Sequence, residues 1–388
     1  MTARFGIDAE MLWESRPNGI STYLANVSER IGAADPASDY VLVYFHSLRR
    51  RVPPASFAPP DVPRRVVRVP VRVLDRLDRG RSPLRWELLA GRLHACLFGG
   101  RSFHPLRRGG NAGIVWDLTA SVCPETMQDP DIATGWARRT ERMLDTCDRV
   151  IVISESVKAE LRGLPGYEDA RVVVAPPGVD PTAYRPMSAA DIDATLARLG
   201  VQRPYVLHVG AVEPRKNVAR LVDAFANLSP ALRRRFQLVV AGGLAWGVDE
   251  TLAAIDRAGA TGATVRHLNG VATADLPALY NGAALLAFPS VYEGYGLPVL
   301  EALACGTAVL TSDRSSLPEA AGGAAVLVDP TSTGAIAASL EAMLTTGVDE
   351  AARSRGLAHA ASHTWERTAA TIAGALHESA DSRAAANR

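Results

Sequence analysis

Lysine is almost absent from this chain. Of its 42 basic residues only Lys158 and Lys216 are lysines, and the other 40 are arginines. A charge excess of one sign is also missing. The formal net charge is +1 over 388 residues, so bulk affinity for nucleic acid is not implied. No run of 18 apolar residues occurs, and no segment is expected to span a membrane. The four cysteines, Cys96, Cys123, Cys147 and Cys305, are scattered without metal-ligand spacing. They read as reduced, mostly buried thiols in a cytoplasm. No signal peptide is expected, because the start, MTARFGIDAEMLWE, meets acids too early. What remains is the composition of a soluble globular protein, long enough for two domains that each bury a core.

Charge is unevenly spread along this balanced chain. From Ser47 to Gly110 there are 15 Arg against four acids, Asp61, Asp75, Asp78 and Glu87. A charge run is ordinarily a solvated face. The alternative is a patch for an anionic membrane surface or a phosphate-bearing acceptor, which retention on anionic liposomes would test.

Strand and helix patterns alternate. Strands are expected at Arg4–Asp8, Tyr40–Phe45, Val66–Val73, Gly113–Leu118, Arg149–Ser154 and Val172–Ala175. Helices are expected at Ser21–Ile31, Leu84–Phe98 and Asp131–Cys147, with a loop over Val52–Pro63. Pro176–Pro186 reads as a linker, and a second α/β stretch follows to about residue 360. The alternation argues a parallel, doubly wound sheet, and the fold class is α/β.

Two motifs carry chemistry. In the first, PSVYEGYGLPVLEALACGTAVL (Pro289–Leu310), Ala284–Phe288 supplies a buried strand, Pro298 starts a helix and Gly306 ends it. Glu293 and Glu301 stand eight apart at the mouth of this strand–loop–helix unit. A helix N-terminus favours phosphate, and carboxylates accept hydrogen bonds from sugar hydroxyls. In the second, HVGAVEPRKNVARLVDAF (His208–Phe225), the strand Tyr205–Val209 ends at Gly210, and Arg215 and Lys216 precede a helix. Two cations at such a mouth suit a diphosphate. In a chain so poor in Lys, Lys216 is a mild sign that a compact point charge is wanted there. The suggested ligand is a sugar joined to a diphosphate. Ligands of such sheets bind beyond the carboxyl ends of strands, where Gly19, Asp117, Gly210, Arg215 and Glu293 all stand.

Together the segments resemble the donor half of a retaining glycosyltransferase of family 4. The likeness lies in E-x7-E (Glu293, Glu301) and in G-x-x-E-P-R-K-N (Gly210, Glu213, Pro214, Arg215, Lys216, Asn217). Leu238–Gly247 resembles the family's strand and Gly-rich loop, and Pro318–Gly322 and Val326–Pro330 the stretch beyond E-x7-E. The resemblance is strong over residues 200–330. It implies the GT-B architecture: two Rossmann-like domains facing each other across a cleft, with a C-terminal helix crossing back. Residues 1–185 would form the acceptor-binding domain and 186–362 the donor-binding domain. Residues 363–388 would hold the returning helix, anchored by Trp365 over His363–Leu376, and a frayed tail from Ser379.

The resemblance also implies roles. Arg215 and Lys216 would hold the diphosphate and stabilise the leaving group, with Glu213 and Gly210 beside them. Glu293 would touch the transferred sugar and Glu301 the ribose. The backbone of Tyr295, Gly296 and Leu297 would approach sugar and phosphate. Asn18 and Gly19, in the loop Pro17–Tyr23, would lie near the diphosphate or the sugar. Nucleobase contacts are expected around His267–Val271. Where the family often has His before Asp117, this chain has Trp116. Trp116 would stack on a sugar, mark altered activity, or be core. His104 reads as a surface-loop residue and His208 as core or supporting.

The reaction implied is retaining hexosyl transfer from a nucleoside-diphosphate sugar, GDP-mannose first, to a glycan, glycolipid or small-molecule acceptor. The setting would be cell-surface polysaccharide synthesis at the inner face of the membrane. No metal and no other cofactor are expected, because Arg215, Lys216 and a helix N-terminus can carry the developing charge. A GT-B epimerase or phosphorylase is a second enzyme reading, and the absence of a pyridoxal-phosphate lysine candidate, with only Lys158 remaining, argues against a phosphorylase. A small-molecule natural-product glycosyltransferase and a non-catalytic sugar-nucleotide-binding subunit are the alternatives.

Overall fold

A computed structural model of the chain describes residues 2–13, 18–47, 58–70, 90–100, 102–347 and 349–388. The strands of the first half are β1 (Ala3–Asp8), β2 (Ser38–Ser47), β3 (Arg64–Val69), β4 (Ala95–Phe98), β5 (Gly110–Val115), β6 (Arg149–Val152) and β7 (Val172–Val174). Those of the second half are β8 (Tyr205–Val209), β9 (Gln237–Ala241), β10 (Thr264–Leu268), β11 (Leu285–Phe288), β12 (Val309–Ser312) and β13 (Val326–Val328). They build two sheets with orders β3-β2-β1-β4-β5-β6-β7 and β10-β9-β8-β11-β12-β13, with parallel pairing throughout.

Parallel sheets are covered by helices on both faces, so their inner strands are apolar without alternation. All residues of β8 and of β11 are buried. The helix Val218–Ala226 covers the second sheet with Val218, Leu221, Val222, Ala224 and Phe225, the spacing of one helical face. In each sheet the strand order reverses once: between β1 and β4, and between β8 and β11. Those reversals are where an open α/β sheet leaves a crevice for a ligand.

The chain forms two compact units. One comprises Met1–Leu118, Thr134–Gly178 and Thr364–Arg388; the other comprises Thr119–Ala133 and Val179–His363. The helix Trp365–Ala386 packs on the helix Gly19–Ala34 and on β5. This helix runs further than the sequence indicates. Ser379 is buried rather than the start of a frayed tail, and a Cβ on Gly110 would collide with its backbone. Glycine in β5 is thus what lets the helix lie so close.

The apolar stretch read as a helix over Leu84–Phe98 is different. Its first part lies outside the described residues, and Ala95–Phe98 is the central strand β4, paired with β1 and β5. A short, wholly apolar run fits either element, and only its neighbours decide. The proposed loop Val52–Pro63 and strand Val66–Val73 also fall partly outside the described residues. So does much of the Arg-rich stretch. All four cysteines are buried thiols. Among the described residues no helix is long and apolar enough to cross a membrane.

Candidate functional site

The second unit gathers its polar groups at the switch between β8 and β11. β8 gives way to Gly210, whose φ of +150° suits glycine. Gly210 N donates to Ala241 O at 2.9 Å and Val212 N to Gly243 O at 2.8 Å. A Cβ on Gly242 would collide with Gly210 O, so the loops after β8 and β9 close on each other through glycine. The chain then makes a single 3-10 turn, Pro214–Lys216, and passes through Asn217 at φ +61° into the helix Val218–Ala226. Asn217 Nδ2 donates to Pro289 O at 2.9 Å and to Pro330 O at 2.7 Å. Val291 N donates to Arg215 O at 2.9 Å. These bonds lay the two motif loops side by side.

Their side chains meet in an ion cluster. Arg215 donates to Glu293 Oε2 at 2.7 Å, to Tyr292 O at 2.8 Å and to Glu213 Oε1 at 2.7 Å. Lys216 Nζ donates to Glu293 Oε1 at 2.6 Å and stands 5.0 Å from the centre of the Phe288 ring. The side chains of Arg215, Lys216 and Glu293 are 17%, 13% and 8% exposed, enough to weaken screening by water. Burial alone would raise the Glu293 pKa, but the two cations outweigh it and hold the carboxyl at about 2. Two carboxylates and two cations here balance, and the cations are held ready at the mouth of the loop.

The second motif is braced by residues that its own sequence does not contain. Glu293 N donates to Ser315 Oγ at 3.1 Å, and Ser316 Oγ bonds both Glu293 O and Tyr295 O at 2.8 Å. Both serines follow β12, the next strand of the sheet. Gly296 has φ +112°, and a Cβ there would stand 2.7 Å from Leu317 Cδ2. Only glycine permits that turn into the helix Leu297–Ala304. Tyr295 is buried.

Glu301 sits apart from the ion cluster, in a set of hydroxyl contacts. Tyr280 donates to its Oε2 at 2.7 Å, and Tyr184 from the linker also donates. Burial raises its pKa to about 7. A folded pKa above the unfolded value means stability that is fully present below about pH 4.5 and lost as pH rises through 7. Glu301→Gln, which cannot ionise, should therefore gain on the order of 1 kcal/mol over wild type at pH 8 and nothing at pH 4. Urea melts at the two pH values check this, and an equal difference at both would show that ionisation is not the cause.

The first unit holds the other expected residues. Asn18 caps the helix Gly19–Ala34, accepting from Ser21 N at 2.9 Å while Ser21 Oγ accepts from Asn18 N at 2.7 Å. Gly19 begins that helix, and a Cβ there would meet nothing within 4 Å. Trp116 is 6% exposed, its indole N–H donates to Gly99 O at 2.9 Å, and its ring meets Tyr23 edge-on at 5.1 Å. Of its three readings this geometry favours core packing over a stacking platform. Asp117 follows β5 and is half-buried. His104 is buried against Phe45, so the surface reading of His104 is corrected. His208, wholly buried, faces the ion cluster's lysine across Gly210.

Comparison with known proteins decides the family. A model described as Glycosyltransferase Family 4 matches residues 17–183, and one described as Glycosyl transferases group 1 matches residues 196–357. The chain belongs to glycosyltransferase family 4. Among curated relatives is the O-antigen chain mannosyltransferase B of Escherichia coli, 33% identical over 252 residues, 64% of this chain and 65% of that protein. Another is a D-inositol 3-phosphate glycosyltransferase of Salinispora arenicola, 34% identical over 59% of this chain and 54% of that protein. The chain thus spans less than two thirds of these relatives' lengths. Among solved structures, Anabaena Alr3699/HepE in complex with UDP and glucose has a TM-score of 0.73 at 19% identity. It covers 97% of this chain and 100% of that one. The fold is that of GT-B glycosyltransferases.

Proposed function

We propose that the chain transfers a hexose from a nucleoside-diphosphate sugar to a glycan or glycolipid acceptor in cell-surface polysaccharide synthesis. The observation that carries this reading is the paired Arg215–Lys216–Glu293 cluster at the strand-order reversal of the second unit. Arg215 and Lys216 hold the diphosphate, Glu293 meets the sugar, and Glu301 with Tyr280 and Tyr184 receives the ribose hydroxyls. The mannosyltransferase relatives support mannose, and hence GDP-mannose, as the donor. A UDP-sugar is the second choice, since a structural neighbour was solved with UDP and glucose.

In the reaction the bond from the sugar's anomeric carbon to the phosphate oxygen breaks. A bond to the acceptor oxygen forms on the same face, and the leaving phosphate oxygen takes the acceptor's proton. The cations stabilise charge that grows on the leaving oxygen, where preorganised groups have most effect. Both Glu293 oxygens are occupied by Arg215 and Lys216, which favours this course over a double displacement with Glu293 as nucleophile. The Arg-rich stretch 47–110 is proposed to meet an anionic membrane surface.

A thermal-shift screen of nucleoside-diphosphate sugars tests the reading, with Glu301→Ala as control. Ligand at a hundred times its dissociation constant should stabilise the wild type by about 2.7 kcal/mol. One donor should raise Tm by several degrees, and Glu301→Ala should lose most of that rise. No shift with any GDP- or UDP-sugar would remove the transferase reading and favour a scaffold role.

A further inference from the structure

One buried polar group beside the cluster has no use in the scheme above. His208 is the fourth residue of β8 and is wholly buried. Its Nδ1 lies 3.0 Å from Ala287 O on the neighbouring strand β11. A carbonyl only accepts, so Nδ1 carries the proton. Burial, assisted by the charge of Lys216, lowers the His208 pKa to about 4. The ring is therefore neutral near pH 7, and Nε2 is a bare acceptor. Among the described residues no group bonds Nε2.

That acceptor is aimed, not adrift. The imidazole stacks on Phe288, centroids 5.5 Å apart and planes 20° apart, and Lys216 Nζ lies on the same Phe288 ring at 5.0 Å. The point where a Cβ would stand on Gly210 has His208 Nε2 and Lys216 Cε each 3.7 Å away, and Lys216 Cδ at 3.8 Å. With glycine at 210, no side chain stands against the unpaired acceptor and the lysine of the clamp at this point. A buried acceptor without a partner is costly, and native proteins keep few of them unexplained.

The missing partner must bring a hydrogen. A diphosphate has none to give at neutral pH and would face the Nε2 lone pair with its own negative charge. The ribose hydroxyls belong, in the scheme above, to Glu301. The hydroxyl-bearing group that adjoins both Lys216 and Glu293 is the sugar to be transferred. We propose that His208 Nε2 accepts a hydrogen bond from one hydroxyl of that sugar and so selects donors that carry it. The inference rests on the glycosyl-transfer reading. A site built to bond a hydroxyl rejects the analogue without it far better than an apolar pocket distinguishes sizes.

Two variants separate the ring's two nitrogens. His208→Asn keeps an N–H near the Nδ1 position for Ala287 O and lacks the acceptor. His208→Gln puts an amide near the Nε2 position. Dissociation constants are measured by calorimetry for the accepted sugar nucleotide and for its free nucleoside diphosphate. The expected result is a loss of ten-fold or more for the sugar nucleotide in His208→Asn, no change for the diphosphate, and partial recovery in His208→Gln. Equal weakening of both ligands, or of neither, overturns the proposal. Should His208→Asn fail to fold, the ¹⁵N resonance of His208 Nε2 is followed in the wild type. It should move with the sugar nucleotide and stay with the diphosphate, and the reverse or no movement overturns the proposal. Wild type that binds none of these ligands overturns the glycosyl-transfer reading itself, and this inference with it.

Discussion

Replacing Lys216 with alanine should lower turnover at least 100-fold while the protein still melts cooperatively. The ammonium is 13% exposed and bonds Glu293 Oε1 at 2.6 Å. In the proposed reaction it faces the oxygen on which charge accumulates, and removing one such preorganised group costs about 10²–10³ in rate. Arg215 still bonds Glu293 Oε2 and Tyr292 O in the variant, so the loop retains its main fastening. Lys216→Arg should recover little. The chain uses 40 arginines, yet a planar fork does not take the place of a compact charge lying on the Phe288 ring. Steady-state rates at saturating donor, with a melting curve for each variant, decide the matter. A nearly wild-type kcat for Lys216→Ala would sink the leaving-group role.

That cluster is legible in the sequence, and the reason is local. Arg215, Lys216 and Glu293 stand just past two strands whose apolar runs end in glycine or proline, and neighbouring parallel strands place their carboxyl ends together. The partners that complete the site were not readable. Ser315 and Ser316 brace Glu293 and Tyr295 from beyond β12, and small polar residues in a loop carry no pattern. Tyr184 and Tyr280 reach Glu301 from the linker and from the helix Leu276–Gly282, a meeting that depends on tertiary packing alone. β4 reads as helix in the sequence because four apolar residues have no distinguishable period. Trp116 looks chemical in sequence and His104 looks like a surface-loop residue, and burial against Tyr23 and Phe45 shows packing instead. His208 looked like core and is core, and only its unpaired Nε2 gives it further interest.

Glu293→Gln should separate binding from turnover. Arg215 and Lys216 share this one carboxylate, and an incoming diphosphate competes with it for them. The amide keeps the size and one acceptor oxygen but removes the charge, so affinity for the free nucleoside diphosphate should rise about ten-fold or more, the effect of ~1.4 kcal/mol. Turnover should fall at least 100-fold, because the sugar loses its charged partner and product leaves more slowly. The apo variant should be less stable by about 3 kcal/mol, since nearly buried Lys216 loses its counter-charge and Arg215 keeps only Glu213. The pH dependence has a definite sign. Because the folded pKa is lowered to about 2, the stabilisation Glu293 provides is present above about pH 4.5 and fades as pH falls towards 2. The stability gap between wild type and Glu293→Gln should therefore narrow below pH 4 and stay constant from pH 5 to 8. Calorimetry with the nucleoside diphosphate, beside kcat, is the deciding measurement. Tighter diphosphate binding with lower kcat fits a carboxylate that balances the clamp. Lost turnover with unchanged diphosphate affinity would instead make Glu293 a nucleophile and restore the double displacement.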